Sequence, residues 1–292
     1  MKTMSTWACV LLMCGACSQN ELTENENNEQ ALAKEFKASI EACDTRTYMQ
    51  DGKLLRWTED DRISLFNGST LNRQFRFKGE TGDNGGTFGM VENEFGTGNE
   101  LERNYAVYPY NEKSRISEEG VMTLTLPATQ SYAANSFGLG ANTMVAVTES
   151  VDDTFLNFKN VGGYLKLMLY GDNVTVKSIT LKGNNGEKIA GKASVTYPFG
   201  SVPAVAMNEN ATAAITLDCG EGVKVGSTSA TATAFWLVVP PTAFTGGFSI
   251  TIANTAGGEM MKSTTKAFSI ERNTIKPMSA FELKDFTTSS SR

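Results

Sequence analysis

The chain has 292 residues, 26 basic and 32 acidic side chains, a formal net charge of -6 and no histidine. The missing imidazole excludes Ser-His-Asp and Cys-His nucleophiles and every His-containing zinc site. The acidic balance argues against nucleic acid as a partner, because such binding calls for a concentrated basic footprint, and the length suits two domains that each bury a core.

The N-terminal segment sets the expected compartment. Lys2 precedes a short apolar run from Trp7 to Met13, after which Gly15 and Ala16 abut Cys17. This is the layout of a secretory signal with a lipoprotein cleavage site, and the run is too short to span a bilayer, which needs about 20 apolar residues. Cys17 is therefore the expected lipidation (palmitate-bearing) residue, with Cys14 standing where the usual motif has Leu. Of the five cysteines, Cys9, Cys14 and Cys17 belong to this segment, leaving Cys43 and Cys219 for the body, where buried unpaired thiols are expected. The polar, acidic stretch that follows, with Glu21, Glu24 and Glu26, reads as a solvated tether.

From residue 36 the apolar period is two. Phe36, Ala38, Ile40 and Ala42 alternate with Lys37, Ser39 and Glu41; further runs carry Ile63 and Leu65, Phe75 and Phe77, then Met122, Leu124 and Leu126. The second half continues with Leu165, Leu167 and Leu169, with Ile215, Leu217 and Cys219, and with Phe248, Ile250 and Ile252. Such alternation puts apolar side chains on one face of a strand. Parity changes within residues 175–183, which predicts a bulge at Lys177-Ser178. Glycine and asparagine clusters at 82–86, 183–186 and 245–247 predict turns. No long amphipathic helical stretch intervenes, so the fold class is all-β, with antiparallel sandwiches preferred over a parallel α/β sheet. The stretch from Asn157 to Gly163, where a Gly pair precedes a new apolar strand, marks the expected domain seam, giving a signal at 1–16, a tether at 17–35, an N-terminal β-sandwich domain at 36–158 and a C-terminal one at 159–292.

Searches for catalytic motifs find none. GTG at 96–98 lacks the third glycine and the βαβ setting of a dinucleotide site, and residues 79–86 lack the Lys-Ser/Thr of a phosphate loop. LPATQ at 126–130 resembles a sortase signal but sits mid-chain, and reads as a strand end entering a Pro127 turn. The pairs Asp60-Asp61 and Asp152-Asp153 lack the ligand spacing of a calcium loop and read as solvated charge. Neither a cofactor nor a metal is implied, and no catalytic residue is assigned.

Taken in order, the segments at 45–47 (TRT), 52–66, 105–110 (YAVYPY), 124–130, 158–169, 235–252 and 270–278 (IERNTIKPM) resemble the fimbrillins, the pilin-type surface lipoproteins of the Bacteroidales. That resemblance implies two tandem transthyretin-like antiparallel β-sandwich domains and a cell-surface fimbrium, a pilus serving cell adhesion, held to the outer membrane by a lipid anchor. It also implies strand exchange: an N-terminal strand is removed after cleavage at an Arg, and the vacated groove takes a strand from another subunit. On this chain the removable strand is Phe36, Ala38, Ile40 and Ala42, the processing residue is Arg46, and the candidate donor strand carries Phe281, Leu283 and Phe286. The segment around 281–286 equally suits completion of the chain's own sandwich. Partners on this reading are other fimbrial subunits and host or bacterial surface ligands.

Two further classes stand beside it. A monomeric surface glycan-binding lipoprotein would need aromatic platforms, for which Trp57, Trp236 and the Tyr105, Tyr108 and Tyr110 cluster are the candidates. A carboxylate glycosidase, needing only two suitably separated acids, ranks last.

Overall fold

The computed structural model describes residues 33–42, 56–91 and 96–288. The first half contributes β1 (Glu35–Ile40), β2 (Arg62–Phe66), β3 (Arg73–Phe77), β4 (Gly85–Met90), β5 (Tyr105–Tyr108), β6 (Arg115–Ile116), β7 (Met122–Leu126), β8 (Thr129–Ala133), β9 (Ser136–Phe137), β10 (Met144–Val147) and β11 (Phe155–Asn160). The second contributes β12 (Gly163–Tyr170), β13 (Thr175–Gly183), β14 (Gly191–Thr196), β15 (Ala204–Met207), β16 (Ala214–Lys224), β17 (Thr233–Val239), β18 (Thr242–Phe244), β19 (Phe248–Asn254), β20 (Gly258–Thr264), β21 (Phe268–Ile270), β22 (Ile275–Pro277), β23 (Phe281–Glu282) and β24 (Thr287–Thr288). A single 3-10 turn at Ser229–Thr231 is the helical element among the described residues. The protein is all-β.

Seven strands close a barrel in the order β1-β11-β10-β5-β2-β3-β4, where the sequence leads one to expect an open two-sheet sandwich. Closure depends on β1, which pairs antiparallel with β4 on one side and parallel with β11 on the other. Period-two patterning places apolar side chains on the inner face but does not say which edges meet. The barrel interior is packed with Phe36, Ile63, Leu65, Phe75, Phe88, Leu156 and Phe158 around Trp57. The indole sits edge-on to Phe88, Tyr108 and Phe158 at 4.9, 5.3 and 5.4 Å between centroids, a spacing at which aromatic quadrupoles attract.

A four-stranded sheet, β15-β14-β7-β6, is built from both halves of the chain. Its Met122, Leu124, Ala193 and Val195 pack with Val107, Val145 and Val147, which belong to β5 and β10 of the barrel. In the second half, β12 and β17 face the sheet that contains β13, β16 and β19 across a core of Leu165, Leu167, Leu169, Ile179, Leu217, Phe235, Leu237 and Ile252. There the predicted bulge is present, as a register shift between Val176 and Ser178 against both neighbouring strands. Four strand pairings among the described residues are parallel, β1 on β11, β8 on β16, and β22 and β23 on β12, within an otherwise antiparallel framework.

The Gly pair at 162–163 is a place of close backbone approach. A Cβ on Gly163 would lie 2.0 Å from the Glu271 carbonyl oxygen, and one on Gly162 would lie 3.0 Å from that of Val239. Only glycine lets β12 begin hard against the β21–β22 connection.

Candidate functional site

The alternation at 36–40 makes β1 a strand with one wet and one dry face. Phe36, Ala38 and Ile40 point into the barrel at 1, 3 and 6 % exposure. Ala42, the fourth position of the expected strand, lies past the strand end and is exposed. Phe36 meets Phe75 edge-on at 5.7 Å. Ala38 lies opposite Gly86, over which the Phe77 ring packs so closely that an added Cβ there would come within 2.6 Å of it. On the outer face, Glu35 pairs with Lys78 where both are largely exposed, a contact worth little. Burial of the two large side chains, about 1.5–3 kcal/mol each, therefore dominates what side chains contribute to retaining β1.

Backbone bonds run along both edges. Lys37 N donates to Thr154 O and Glu41 N to Phe158 O, each at 2.9 Å, and Met90 N donates to Lys34 O at 3.0 Å. Taking β1 away would expose two sheet edges at once, one on β4 and one on β11. Such a slot can receive another extended segment, with main-chain bonds giving affinity and alternate side chains filling the vacated pockets.

The C-terminal end of β1 is held by a polar cluster between the end of β11 and the β21–β22 connection. Arg272 Nη1 pairs with Glu41, with the two side chains 18 and 15 % exposed, and also donates to Asn160 O at 3.0 Å. The Asn160 backbone N–H donates to Glu41 Oε1. Asn273 Nδ2 donates to Ala42 O at 2.9 Å. Behind these, Asn160 Nδ2 donates to Asn273 Oδ1 at 2.7 Å, Asn142 Nδ2 to Asn160 Oδ1 at 2.6 Å, and Tyr164 OH to Asn142 Oδ1 at 3.1 Å. Asn273 takes a left-handed φ of 56°, which asparagine tolerates better than most residues. Close by, the Tyr197 phenol is pushed up to about 12, first by burial and then by the Glu41 charge.

No protein-family model matches this sequence, and no curated protein matches it significantly. Among solved structures, a candidate cell adhesion protein from Bacteroides ovatus is similar with a TM-score of 0.52 and 13 % identity, covering 88 % of this chain and 95 % of that one. This chain shares that fold. Candidate cell adhesion proteins from Bacteroides uniformis (TM-score 0.45, 16 % identity, 81 % and 88 % covered) and Bacteroides fragilis (0.42, 8 %, 89 % and 96 %) are also similar.

The remaining expected site residues fall elsewhere. Cys17 and Arg46 lie outside the described residues, as does Cys43. Phe281, Leu283 and Phe286 belong to the core of the second half: Phe281 pairs with Leu169 in β12, Leu283 is 2 % exposed with its N–H bonded to Tyr170 O at 2.7 Å, and Phe286 packs on the same core. The segment thus completes a sheet of its own chain. Trp57 and Trp236 are both buried, at 1 and 5 % exposure, and Tyr108 is buried with its hydroxyl donating to Asp61 Oδ1 at 3.0 Å. Asp61 is accordingly no solvated charge, since burial raises its carboxyl pKa. Asp60 pairs with Arg76 at the surface, and Asp153 accepts from the Glu149 and Phe155 backbone N–H groups at 3.1 and 2.9 Å.

Sequence reading missed Glu41, Asn142, Asn160, Arg272 and Asn273 as members of one site. Their separations, 231 residues between Glu41 and Arg272 and 113 between Asn160 and Asn273, leave no local pattern to find. The one available signal was the ERNT run at 271–274, four polar residues set between Ile270 and Ile275.

Proposed function

We propose that this chain is a fimbrillin-like structural or tip subunit of a cell-surface fimbrium, assembled by strand exchange and serving adhesion. The observation that carries the reading is the place of β1: the first described strand closes a barrel between two later strands through three inward side chains. Without it the barrel becomes an open six-stranded array running from β11 to β4, and on this reading that array belongs to the first of two tandem transthyretin-like domains, 36–158 and 159–292. Cleavage after Arg46 would separate β1 from the body. Lipidation of Cys17 would tether the precursor to the outer membrane. The partners on this reading are other fimbrial subunits and surface ligands, and the chain works through backbone edges and apolar pockets rather than as an enzyme. Burial of both body tryptophans speaks against the glycan-platform alternative, which needs exposed aromatic faces.

The test is to purify surface fibres labelled against this chain and sequence their N-termini by mass spectrometry. Fibres whose subunits begin at Thr47 are expected. Subunits that still carry acylated Cys17 in assembled fibres would overturn cleavage, and cells expressing the chain without any fibre containing it would overturn the fimbrial role.

A further inference from the structure

The slot filled by β1 has walls from the first half of the chain, but its far end is closed by the second half. Glu41 and Ala42 emerge from between β4 and β11 directly onto Arg272 and Asn273, on the connection between β21 and β22. These two side chains recognise different parts of the strand end. Arg272 takes the carboxylate of the residue that follows the last inward apolar position, and Asn273 takes the next main-chain carbonyl. Both are preorganised whatever fills the slot, because Arg272 is also bonded to Asn160 O and Asn273 is fixed by the Asn142-Asn160 chain.

We infer that Arg272 and Asn273 select the strand that occupies the β1 position, favouring an extended segment of another polypeptide that reads apolar, any, small, any, apolar, acidic. The inference rests on the strand-exchange reading and adds what that reading leaves open, namely which strands are accepted. Phe36, Ala38, Ile40 and Glu41 are the native instance of the pattern. The small position is dictated by the Phe77 ring lying over Gly86, opposite Ala38. The acidic position is dictated by a mostly buried guanidinium, which a neutral residue would leave with its bond to Asn160 O but without an opposite charge. The chain's own 281–286 segment does not fit. Aligned on Phe281 and Leu283, it puts Asp285 at the last inward apolar position and Phe286 at the acidic one, so it would bury a charge in the barrel and offer Arg272 an aromatic ring.

The experiment uses the full chain with a specific protease recognition sequence inserted after Thr45. Once the chain is nicked there, a fluorescent peptide of residues 33–46 competes for the slot and its dissociation is followed by anisotropy. Losing a charge-assisted hydrogen bond weakens binding roughly 10- to 100-fold, so the Glu41→Gln peptide should bind that much less tightly than the native one. In a body carrying Arg272→Met the two peptides should bind alike, while a Phe36→Ala peptide stays weak in both bodies. A Glu41→Lys peptide should be rejected by the native body and accepted by one carrying Arg272→Glu, a rescue that general damage to the barrel would not produce. Peptides that enter the slot with affinities indifferent to residue 41 would overturn the selection alone. A slot that takes up no peptide of any sequence after nicking would overturn strand exchange itself, and the selection with it.

Discussion

Replacing Phe36 by Ala isolates the contribution of the strand's largest side chain. Phe36 is 1 % exposed, edge-on to Phe75, and sits in a barrel interior otherwise filled by Trp57, Phe77, Phe88 and Phe158. Large-to-small changes of this kind cost about 3–5 kcal/mol, the lost transfer energy plus the cavity left behind. Where that cost appears is the sharper question. If β1 leaves as a unit while the rest stays folded, the substitution lowers the free energy of that local opening. Amide exchange should then accelerate roughly 10²- to 10³-fold or more for Lys37, Ser39 and Glu41 and for their partners on β4 and β11. Amides of β13, β16 and β19, in the second core, should keep their wild-type protection. Hydrogen exchange resolved to individual amides by NMR reads both groups in one sample. A uniform loss of protection through both cores would show that β1 opens only with the whole protein, and a change under about 1 kcal/mol would show that Phe36 is not held as described.

Two other perturbations follow from buried titrating groups. The Asp61 pKa is raised from 3.8 in the folded state, chiefly by burial, so just above that value the native state holds more protons than the unfolded one and stability falls as pH rises through the window. Thermal melts should therefore show Asp61→Asn gaining on the wild type between pH 3 and pH 7, and the opposite trend would refute the assignment. The Cys219 thiol is buried and pushed up to about 12, first by desolvation and then by Asp218. With so little thiolate at pH 8, iodoacetamide should leave the Cys219 peptide unmodified in the native protein and alkylate it in denaturant, as peptide mass spectrometry would show. Rapid native labelling would mean the thiol is open to solvent.

Strand content was legible because alternation is a local property. Ile63 and Leu65, then Met122, Leu124 and Leu126, and Phe248, Ile250 and Ile252 all lie buried on the strands their spacing predicts, and the parity change at Lys177-Ser178 appears as a bulge. What alternation does not encode is which edges meet. β1 lies 46 or more residues from its paired positions on both β4 and β11, and nothing within Phe36 to Ala42 distinguishes a bridging strand from an edge strand. The aromatic candidates misled for a related reason. Trp57 stands between Arg56 and Thr58 and Tyr108 just before Pro109 at a turn, yet both turn into the barrel and fill its interior. The site at the end of β1 escaped altogether, since asparagines 142, 160 and 273 look like loop punctuation until the fold brings them together.

The sheet that combines β6 and β7 with β14 and β15 sets a timetable for the chain. Met122 pairs with Val195, so β7 has no partner on that side until residues from the second half exist to pair with it. At synthesis rates of about 5–20 residues per second, the wait for that partner is several seconds. Closure of the barrel is late in the same way, because β1 must hold its hydrophobic face unpaired along one edge until β11 emerges. Neither early strand can commit to its final place at the outset. The contacts that complete both sheets are thus the ones that the topology postpones.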